Sequence, residues 1–299
     1  MDTRGVVAAI GNFDGVHRGH QHLLARTVAF AGELQGRPGV VVFEPHPRRY
    51  FRPDDPPFLL TTPEKRNALL AAHGAQHVIS LPFDAALASL DPEAFVRGVL
   101  KERLGLAGVV TGADFRFGKG RAGDGAALRA VGDAAGLGVL LVDILAERGE
   151  AEKFGSSAVR AALEAGAPER AAAMLGRRWS VRGAVREGQK LGRGLGFPTA
   201  NMTLGELIEP RRGVYATLAE VGGETYAAVS NFGRRPTVGG DAPLLETHLF
   251  DFQGDLYGAE IEVGFVAFLR DERRFDGLDA LKAQITADSA EARRILHRL

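Results

Sequence analysis

The stretch that decides the fold runs from Val6 to His20 and reads VVAAIGNFDGVHRGH. Its first part, Val6–Ile10, is apolar on both faces, which is typical of a strand buried in a parallel sheet. The residues after it are rich in glycine, and a helical period begins near His20. A strand that passes through a glycine-rich turn into a helix predicts the first βα unit of an α/β domain.

Four further apolar runs predict four more strands. They are Gly39–Phe43, His77–Leu81, Gly108–Thr111 and Val139–Val142. Amphipathic helical periods lie between them, one of them over His20–Gln35. Two more helices are predicted to begin after Thr62 and Asp91, because each of these N-cap residues precedes a proline and an acidic residue. Strands that alternate with helices in this way predict a doubly wound α/β domain.

The pattern changes in the second half of the chain. Residues Ser157–Gly176 predict one alanine-rich helix, and residues 179–186 then alternate with the period of a strand. Further strand-like runs are Gly213–Val221, Thr225–Ser230, Leu245–Phe250 and Glu260–Leu269, with glycine pairs at 222–223 and 239–240 as turn signals. A closing helix is predicted to bury Leu278, Leu281, Ile285 and Ile295. We expect a mostly antiparallel β-barrel with a C-terminal helix, and domains of residues 1–176 and 177–299.

Length, charge and cysteine content narrow the class of protein. A chain of 299 residues is long for one core, so two domains are expected. Lysine plus arginine equals aspartate plus glutamate at 37 each, which argues against a nucleic-acid or anionic-membrane partner. The absence of cysteine excludes disulfides, thiolate catalysis and iron–sulfur clusters. No signal peptide is recognised and no apolar run reaches about 18 residues, so we expect a cytoplasmic location.

The segment between the first strand and the first helix is the first candidate site. Gly11, Gly15 and Gly19 allow the backbone to approach a ligand closely, and a helix N-terminus favours phosphate. His17 and His20 are three residues apart, so both rings can face one site on the first helical turn. Two imidazoles that donate to phosphate oxygens would stabilise charge during transfer at an α-phosphate. A metal site is the alternative, but no H-E-x-x-H pattern accompanies these histidines.

A second glycine pattern, GKGRAG at residues 118–123, matches the dinucleotide fingerprint of oxidoreductases, with Asp143 20 residues further on. That fingerprint normally turns directly off the first strand, whereas here residues 112–117 intervene and the first turn already holds the histidines. We interpret Lys119 and Arg121 as a basic loop over a nucleotide. An NAD-dependent oxidoreductase is kept as the alternative.

The second candidate site is the glycine-rich segment Gly192–Asn201, which ends in Pro198-Thr199-Ala200-Asn201. Thr199 and Asn201 are two apart, so on extended chain they point to one side. A hydroxyl and an amide oxygen are hard ligands that suit Mg²⁺ carrying a nucleoside triphosphate. An ordinary glycine-rich loop between strands explains the segment equally well when it is taken alone.

Several motifs together resemble those of a known family. GNFDGVHRGH at residues 11–20 resembles the GxFDGxHxGH signature of class I nucleotidylyltransferases. The first half also carries FEPHP at 43–47 and GADFRFG at 112–118, and the second half carries GFPTAN at 196–201, GVY at 213–215, SNFGRRPT at 230–237, ETHLFDF at 246–252 and GDLYG at 254–258. In this order, over nearly the whole chain, they resemble the prokaryotic bifunctional riboflavin kinase/FAD synthetases.

The resemblance implies roles in the second domain. Gly196, Thr199 and Asn201 would bind the nucleotide, with Thr199 and Asn201 holding Mg²⁺, and Glu246 would be the base for the ribityl 5′-hydroxyl. From the residues alone, Glu246 points away from the apolar face that Leu245 and Leu249 share. An exposed strand glutamate without a catalytic role has the same pattern.

The resemblance also implies roles in the first domain. ATP would be bound by Gly11, Phe13, Gly15, His17 and His20 together with Ser156, Ser157 and Arg160, the two histidines being catalytic, and the flavin by Asp114 and Phe115. The family usually reads Ser-Ser-Thr-x-Ile-Arg where this chain has Gly155-Ser156-Ser157-Ala158-Val159-Arg160. Gly155 therefore removes one hydroxyl, which predicts a small loss of ATP affinity.

The implied activity is the synthesis of FAD in two steps. Riboflavin and ATP would give FMN and ADP, and FMN and ATP would then give FAD and diphosphate, so the expected partners are ATP, riboflavin, FMN and FAD. A flavin- or nucleotide-sensing binding protein, or an enzyme that retains one of the two activities, is the alternative.

Overall fold

The computed structural model describes residues 2–143, 155–187, 197–233 and 243–299. The chain divides into two compact units. The first unit comprises Met1–Pro56 and Thr61–Ser156, and the second comprises Pro57–Leu60 and Ser157–Leu299. Residues Ser157–Gly176 therefore pack with the second unit. The predicted boundary at residue 176 divides the chain by activity, which packing does not test, so it stays a prediction.

The first unit alternates strands and helices. Its strands are β1 (Val6–Ile10), β2 (Arg37–Glu44), β3 (His77–Pro82), β4 (Gly108–Gly112) and β5 (Gly138–Val142). Its helices are α1 (Arg18–Glu33), α2 (Pro47–Phe51), α3 (Pro63–Ala72), α4 (Ala85–Ser89), α5 (Pro92–Ala94), which continues as π-helical turns over Phe95–Arg103, and α6 (Gly125–Ala134). Thr62 and Asp91 are N-caps as predicted, since their side chains accept from the amides of Lys65 and Ala94.

The first unit is built on a five-stranded parallel sheet in the order β3-β2-β1-β4-β5. Apolar side chains cover both faces, and every residue of β1 is buried. The predicted doubly wound fold is therefore confirmed. Because the strand order reverses between β1 and β4, the crevice for a ligand lies at the carboxyl ends of these two strands.

The second unit combines two helices, six strands and a long C-terminal helix among its described residues. The helices are α7 (Ser156–Glu164), whose first residue is counted with the first unit, α8 (Pro168–Leu175) and α9 (Leu278–Leu296). The strands are β6 (Ser180–Ala184), β7 (Ala200–Thr203), β8 (Gly213–Val221), β9 (Glu224–Gly233), β10 (Leu244–Leu249) and β11 (Glu260–Arg270).

The six strands form one antiparallel sheet in the order β6-β11-β8-β9-β10-β7. A bridge between Arg186 and Asn201 joins the two edges, and the Arg186 amide donates to the Asn201 carbonyl at 2.8 Å. The predicted antiparallel barrel is confirmed as a nearly closed one. The turn at Gly222 and Gly223 is also confirmed, with φ of +58° and +88° that favour glycine.

Three local predictions differ from the structure. The helix expected over Ser157–Gly176 is two helices, since Gly166 has φ of +75° and Pro168 begins α8. Strand β7 lies in a segment that the sequence suggests is a loop. In α9 the buried residues are Asp288, Ala292 and Leu296 rather than the predicted set, and Leu278 is 66% exposed. The turn predicted at residues 239–240 lies outside the described residues.

No helix within the described ranges is long and apolar enough to span a bilayer.

Candidate active sites

The loop between β1 and α1 lies at the carboxyl edge of the parallel sheet. The Gly11 amide at the end of β1 donates to the Val41 carbonyl of the neighbouring strand at 3.2 Å. Phe13, Gly15 and Val16 all have positive φ, of 53°, 83° and 43°. Phe13 and Val16 are fully buried, so their side chains hold this backbone in a conformation that non-glycine residues rarely adopt.

His17 and His20 are stacked on each other rather than side by side. Their ring centroids are 3.7 Å apart and the ring planes differ by 19°. His17 is the N-cap of α1, and its Nδ1 accepts from the His20 amide at 3.3 Å. A neutral His17 ring must then carry its proton on Nε2. The Phe13 ring lies 4.9 Å from the His20 ring, so the sequence-predicted Phe13 supports His20 from inside the core.

His20 is held in its neutral form. Burial, followed by the proximity of His17, keeps the pKa of His20 well below its ordinary value of 6.5. Its Nδ1 is buried and has no hydrogen-bond partner among the described residues. A neutral imidazole donates one hydrogen bond and carries no charge. The electrostatic attraction for phosphate at this site therefore comes from the positive N-terminal end of the α1 dipole.

Ser156, Ser157 and Arg160 begin α7. The Ser156 hydroxyl donates to the Asp14 carbonyl at 2.8 Å within the first unit. Ser157 is exposed. In the second unit the Arg160 Nε donates to the Phe58 carbonyl at 2.7 Å, and the guanidinium lies 5.6 Å from the Phe58 ring. The structure thus ties Ser156 to the β1–α1 loop, and it ties Arg160 to the segment Pro57–Leu60.

Asp114 and Phe115 follow β4 directly, at the same edge of the sheet as Gly11. Asp114 is exposed, whereas Phe115 is half-buried and stacks on Phe117 with centroids 5.6 Å apart. The two sequence-predicted flavin residues therefore lie at the carboxyl edge of the parallel sheet.

The segment that mimics a dinucleotide fingerprint has another structural reason for its glycines. Gly118 and Gly120 have φ of +71° and +64° in the turn around Lys119–Arg121. A Cβ on Gly123 would lie 2.7 Å from the Phe117 ring. The turn does not follow a strand directly, as β4 ends at Gly112. These features fit a packed surface turn and not the first βα turn of an oxidoreductase.

The second unit brings together a polar row across its sheet. Asn201 on β7 lies opposite Glu246 on β10, and Glu246 lies opposite Asn231 on β9. The row continues through Val214 on β8 to Arg270 on β11. Directly opposed residues of an antiparallel sheet point to the same face. The predicted Asn201 and Glu246 therefore share one face, and Leu245, Thr247 and Leu249 are buried on the other.

A cavity of about 340 Å³ lies over this row. Its wall combines polar strand residues with apolar residues from the end of the sheet and from α9. The lining residues are Phe197, Thr199, Val214, Val229, Ser230, Asn231, Glu246, Arg270, Glu272, Arg273, Phe275, Leu281, Ile285 and Asp288. A cavity that is lined by both apolar and polar residues can take a ligand that combines an apolar ring with a polar tail.

Thr199 lines the cavity, and Asn201 is two residues further on, 5% exposed. The Asn201 Nδ2 donates to the Thr199 carbonyl at 3.4 Å. Within the described ranges no three His, Cys, Asp or Glu side chains cluster as metal ligands. The hydroxyl of Thr199, the amide oxygen of Asn201 and the opposed carboxylate of Glu246 are nonetheless hard oxygen ligands of the kind that Mg²⁺ accepts. Gly196 lies outside the described residues.

Family models match both halves of the chain. The FAD synthetase model matches residues 1–157, and the riboflavin kinase model matches residues 175–296. The chain belongs to the bifunctional riboflavin kinase/FMN adenylyltransferase family.

Curated members of this family align with nearly the whole chain. The enzyme of Pseudomonas fluorescens is 42% identical over 98% of this chain and 93% of its own. The enzyme of Escherichia coli K12 is 39% identical over 97% and 92%, and that of Bacillus subtilis is 37% identical over 98% and 93%. All three carry the name bifunctional riboflavin kinase/FMN adenylyltransferase.

A solved structure shares the fold. A crystal structure titled macrolide-efflux protein, from Streptococcus pneumoniae, is 29% identical with a TM-score of 0.87, and the match covers 97% of this chain and 94% of that one. The likeness concerns the fold.

Within the kinase half, sequence reasoning missed three residues of the site. Asn231 neighbours Glu246 across the sheet. His248, two residues after Glu246, has its Nδ1 2.8 Å from the Pro198 carbonyl and so anchors the residue before Thr199. Arg270 lines the cavity and binds Asp288 of α9 at 2.6 Å. Asn231 lies in the SNFGRRPT motif and His248 in the ETHLFDF motif, but strand register alone shows that they face this site.

Proposed function

We propose that the chain makes FAD from riboflavin in two ATP-dependent steps, one in each unit. The observation that supports the proposal is the register that opposes Glu246 to Asn201, because a carboxylate that would act as the base then lies beside an amide that would hold the Mg²⁺ of the triphosphate. Family membership and the stacked histidines at the start of α1 support the second activity.

In the kinase step, Glu246 would take the proton of the ribityl 5′-hydroxyl as the oxygen attacks the γ-phosphorus of ATP. The bond from that phosphorus to the β–γ bridging oxygen breaks, and ADP leaves. Asn231 and Arg270, on the same polar row, are placed to orient the ribityl chain, and Phe275, Leu281 and Ile285 form an apolar wall for the flavin ring. General-base assistance of this kind contributes about 10²–10⁴ in rate.

Mg²⁺ is the metal we propose for this step, held by Thr199 and Asn201. It would neutralise charge on the phosphate oxygens, the main requirement of phosphoryl transfer. Asn201 is fixed by the barrel closure at Arg186, and Thr199 follows Pro198, which His248 holds. The backbone that carries the Thr199 hydroxyl and the Asn201 amide is therefore anchored at Pro198 and at Asn201.

In the adenylyl transfer, a phosphate oxygen of FMN would attack the α-phosphorus of ATP, and diphosphate leaves. His17 and His20 would donate hydrogen bonds to phosphate oxygens at the N-terminus of α1, where the helix dipole favours negative charge. Asp114 and Phe115, after β4, would contact the flavin across the crevice. The assignments of Gly11, Gly15, Ser156, Ser157 and Arg160 to ATP, and the cytoplasmic location, stay predictions.

The test is chromatography of the products after incubating the pure protein with riboflavin, ATP and Mg²⁺. We expect FMN and then FAD, with ADP and diphosphate as co-products. FMN supplied without riboflavin should also give FAD. A protein that binds flavin and ATP but releases neither product would be a binding protein and not this enzyme.

A further inference from the structure

Thr61 is a buried polar residue that no motif of the sequence analysis includes. It is 4% exposed and lies one residue before the N-cap of α3. Its amide donates to the Asp14 carboxylate at 3.2 Å, and its hydroxyl oxygen accepts from the Gly15 amide at 3.1 Å. The same hydroxyl lies 3.5 Å from Asp14 Oδ1. Thr61 thus contacts two successive residues of the β1–α1 loop, Gly15 and Asp14, which precede it by 46 and 47 residues in the sequence.

Thr61 contacts the part of the loop in which the backbone has positive φ angles. Gly15 lies between the left-handed residues Phe13 and Val16, and His17 follows Val16 directly. Left-handed conformations of non-glycine residues persist only where the surroundings impose them. The Thr61 hydroxyl holds the Gly15 amide of this run, and the Ser156 hydroxyl holds the preceding Asp14 carbonyl.

The two histidines depend on that backbone. His17 is the N-cap of α1, with φ of −68° and ψ of 170°, and its Nδ1 must reach the His20 amide. A change at Gly15 or Val16 alters the direction in which the chain enters His17. Since the His17 ring stacks on His20 at 3.7 Å, both rings would then move together.

We propose that Thr61 is a positioning residue for adenylyl transfer: its hydroxyl fixes Gly15 and thereby the orientation of His17 and His20. The proposal rests on the adenylyl transfer proposed above. Thr61 itself need not touch ATP or FMN, and its effect passes through the loop.

The test compares three variants of the full chain in both reactions at 25 °C. Thr61→Val keeps the size of the side chain but removes the hydroxyl that accepts from the buried Gly15 amide, and we expect kcat for FMN to FAD to fall about ten-fold. Thr61→Ser keeps the hydroxyl and should stay within about two-fold of wild type. Riboflavin phosphorylation, in the other unit, should be unchanged in both.

The matched control is Thr62→Val at the next position. The Thr62 side chain caps α3 by accepting from the Lys65 amide at 3.2 Å, so its loss costs stability. If Thr61 has only a structural role, Thr61→Val and Thr62→Val should lower the melting temperature by similar amounts and should have the same effect on kcat. We expect instead that Thr62→Val melts earlier with wild-type kcat, and that Thr61→Val loses kcat.

Three results would overturn the proposal: wild-type kcat in Thr61→Val, equal losses in Thr61→Val and Thr62→Val, or a loss in Thr61→Ser as large as in Thr61→Val. If Thr61→Val does not fold, Thr61→Cys replaces the oxygen with a weakly accepting sulfur and must show the same selective loss. A wild-type chain that makes no FAD would refute the proposed function and not the role of Thr61.

Discussion

Glu246 lies directly opposite Asn201 across the β10–β7 pair. Side chains so opposed have Cβ atoms about 4.5–5.5 Å apart, which is close enough for both to contact one bound phosphate and its acceptor hydroxyl. The pair is 45 residues apart in the sequence, and no local period relates its members.

Glu246→Gln should give a selective kinase defect. The amide keeps the size and hydrogen bonding of the side chain but cannot accept the hydroxyl proton, so kcat for riboflavin to FMN should fall about 10²–10⁴-fold. Riboflavin affinity, measured by flavin fluorescence, should change little, and FMN should still be converted to FAD at the wild-type rate. Glu220→Gln is the control, since Glu220 is an exposed glutamate on β8 of the same sheet. Normal phosphorylation by Glu246→Gln would leave the base unidentified.

His20→Ala should abolish most FAD formation and spare riboflavin phosphorylation. The variant loses a ring that stacks on His17 and that we place beside the transferred phosphate, a loss that typically costs about 10²–10³ in rate. Both activities are measured on one sample, so the kinase reaction reports whether the protein is folded. His22→Ala, two residues further along α1, should retain both activities. Parallel loss of both activities in folded His20→Ala would contradict their assignment to separate units.

Acid should destabilise the first unit through His20. Because the pKa of His20 is lowered in the folded state, its stabilising contribution is complete above the unfolded pKa of 6.5 and is lost as the pH falls from there towards the folded pKa. In calorimetric melts between pH 7.5 and 5.5, the melting temperature of the first unit should fall with pH in the wild type and should fall less in His20→Gln. The single tryptophan lies in the second unit at Trp179, so its fluorescence does not report this transition. Equal pH dependence in the two proteins would show that His20 is not the responsible group.

The fragment 157–299 should be more stable than the fragment 177–299. Val159, Leu163 and Leu175 are buried in the core of the second unit, and each such side chain contributes about 1.5–3 kcal/mol by burial. We expect both fragments to hold Thr199, Asn201 and Glu246 in place, but the shorter one should melt at least about 10 °C lower. Thermal melts by circular dichroism and the riboflavin kinase assay measure the difference. Equal melting temperatures would show that α7 and α8 are dispensable for this unit and would favour a boundary at residue 176.

Local periodicity predicted the strands well because burial on both faces leaves a direct trace in the sequence. Each of the five parallel strands begins and ends within two residues of its predicted bounds. Strand β7 was missed, since its four residues follow a run of glycines and carry no alternating pattern of their own. It is a strand because β10 pairs with it along its length, which is a tertiary cause.

Burial on α9 was predicted less well for a related reason. The sequence favours Leu278 and Ile295 as core residues, yet Asp288 is buried, at 7% exposure. Arg270 donates to Asp288 through Nε and Nη2, and Gln284 donates to it at 2.7 Å. A carboxylate can be buried where such partners surround it. Arg270 comes from β11 and Gln284 from the preceding turn of α9, and hydrophobic periodicity registers neither of these polar contacts.

By itself, the sequence determined that there are two units, the fold class of each, the glycine turn at residues 222–223, and the placement of His17 and His20 at the start of a helix. These features follow from short-range chemistry: the period of a strand or helix, the N-cap, and the φ that a residue tolerates. The tertiary structure alone decided that Asn201, Glu246 and Asn231 form one row, and that Thr61 holds Gly15. The physical reason is that both arrangements depend on hydrogen bonds and buried faces between distant segments. In the sheet, a shift of one residue in the strand register would turn Asn201, Glu246 or Asn231 away from the site.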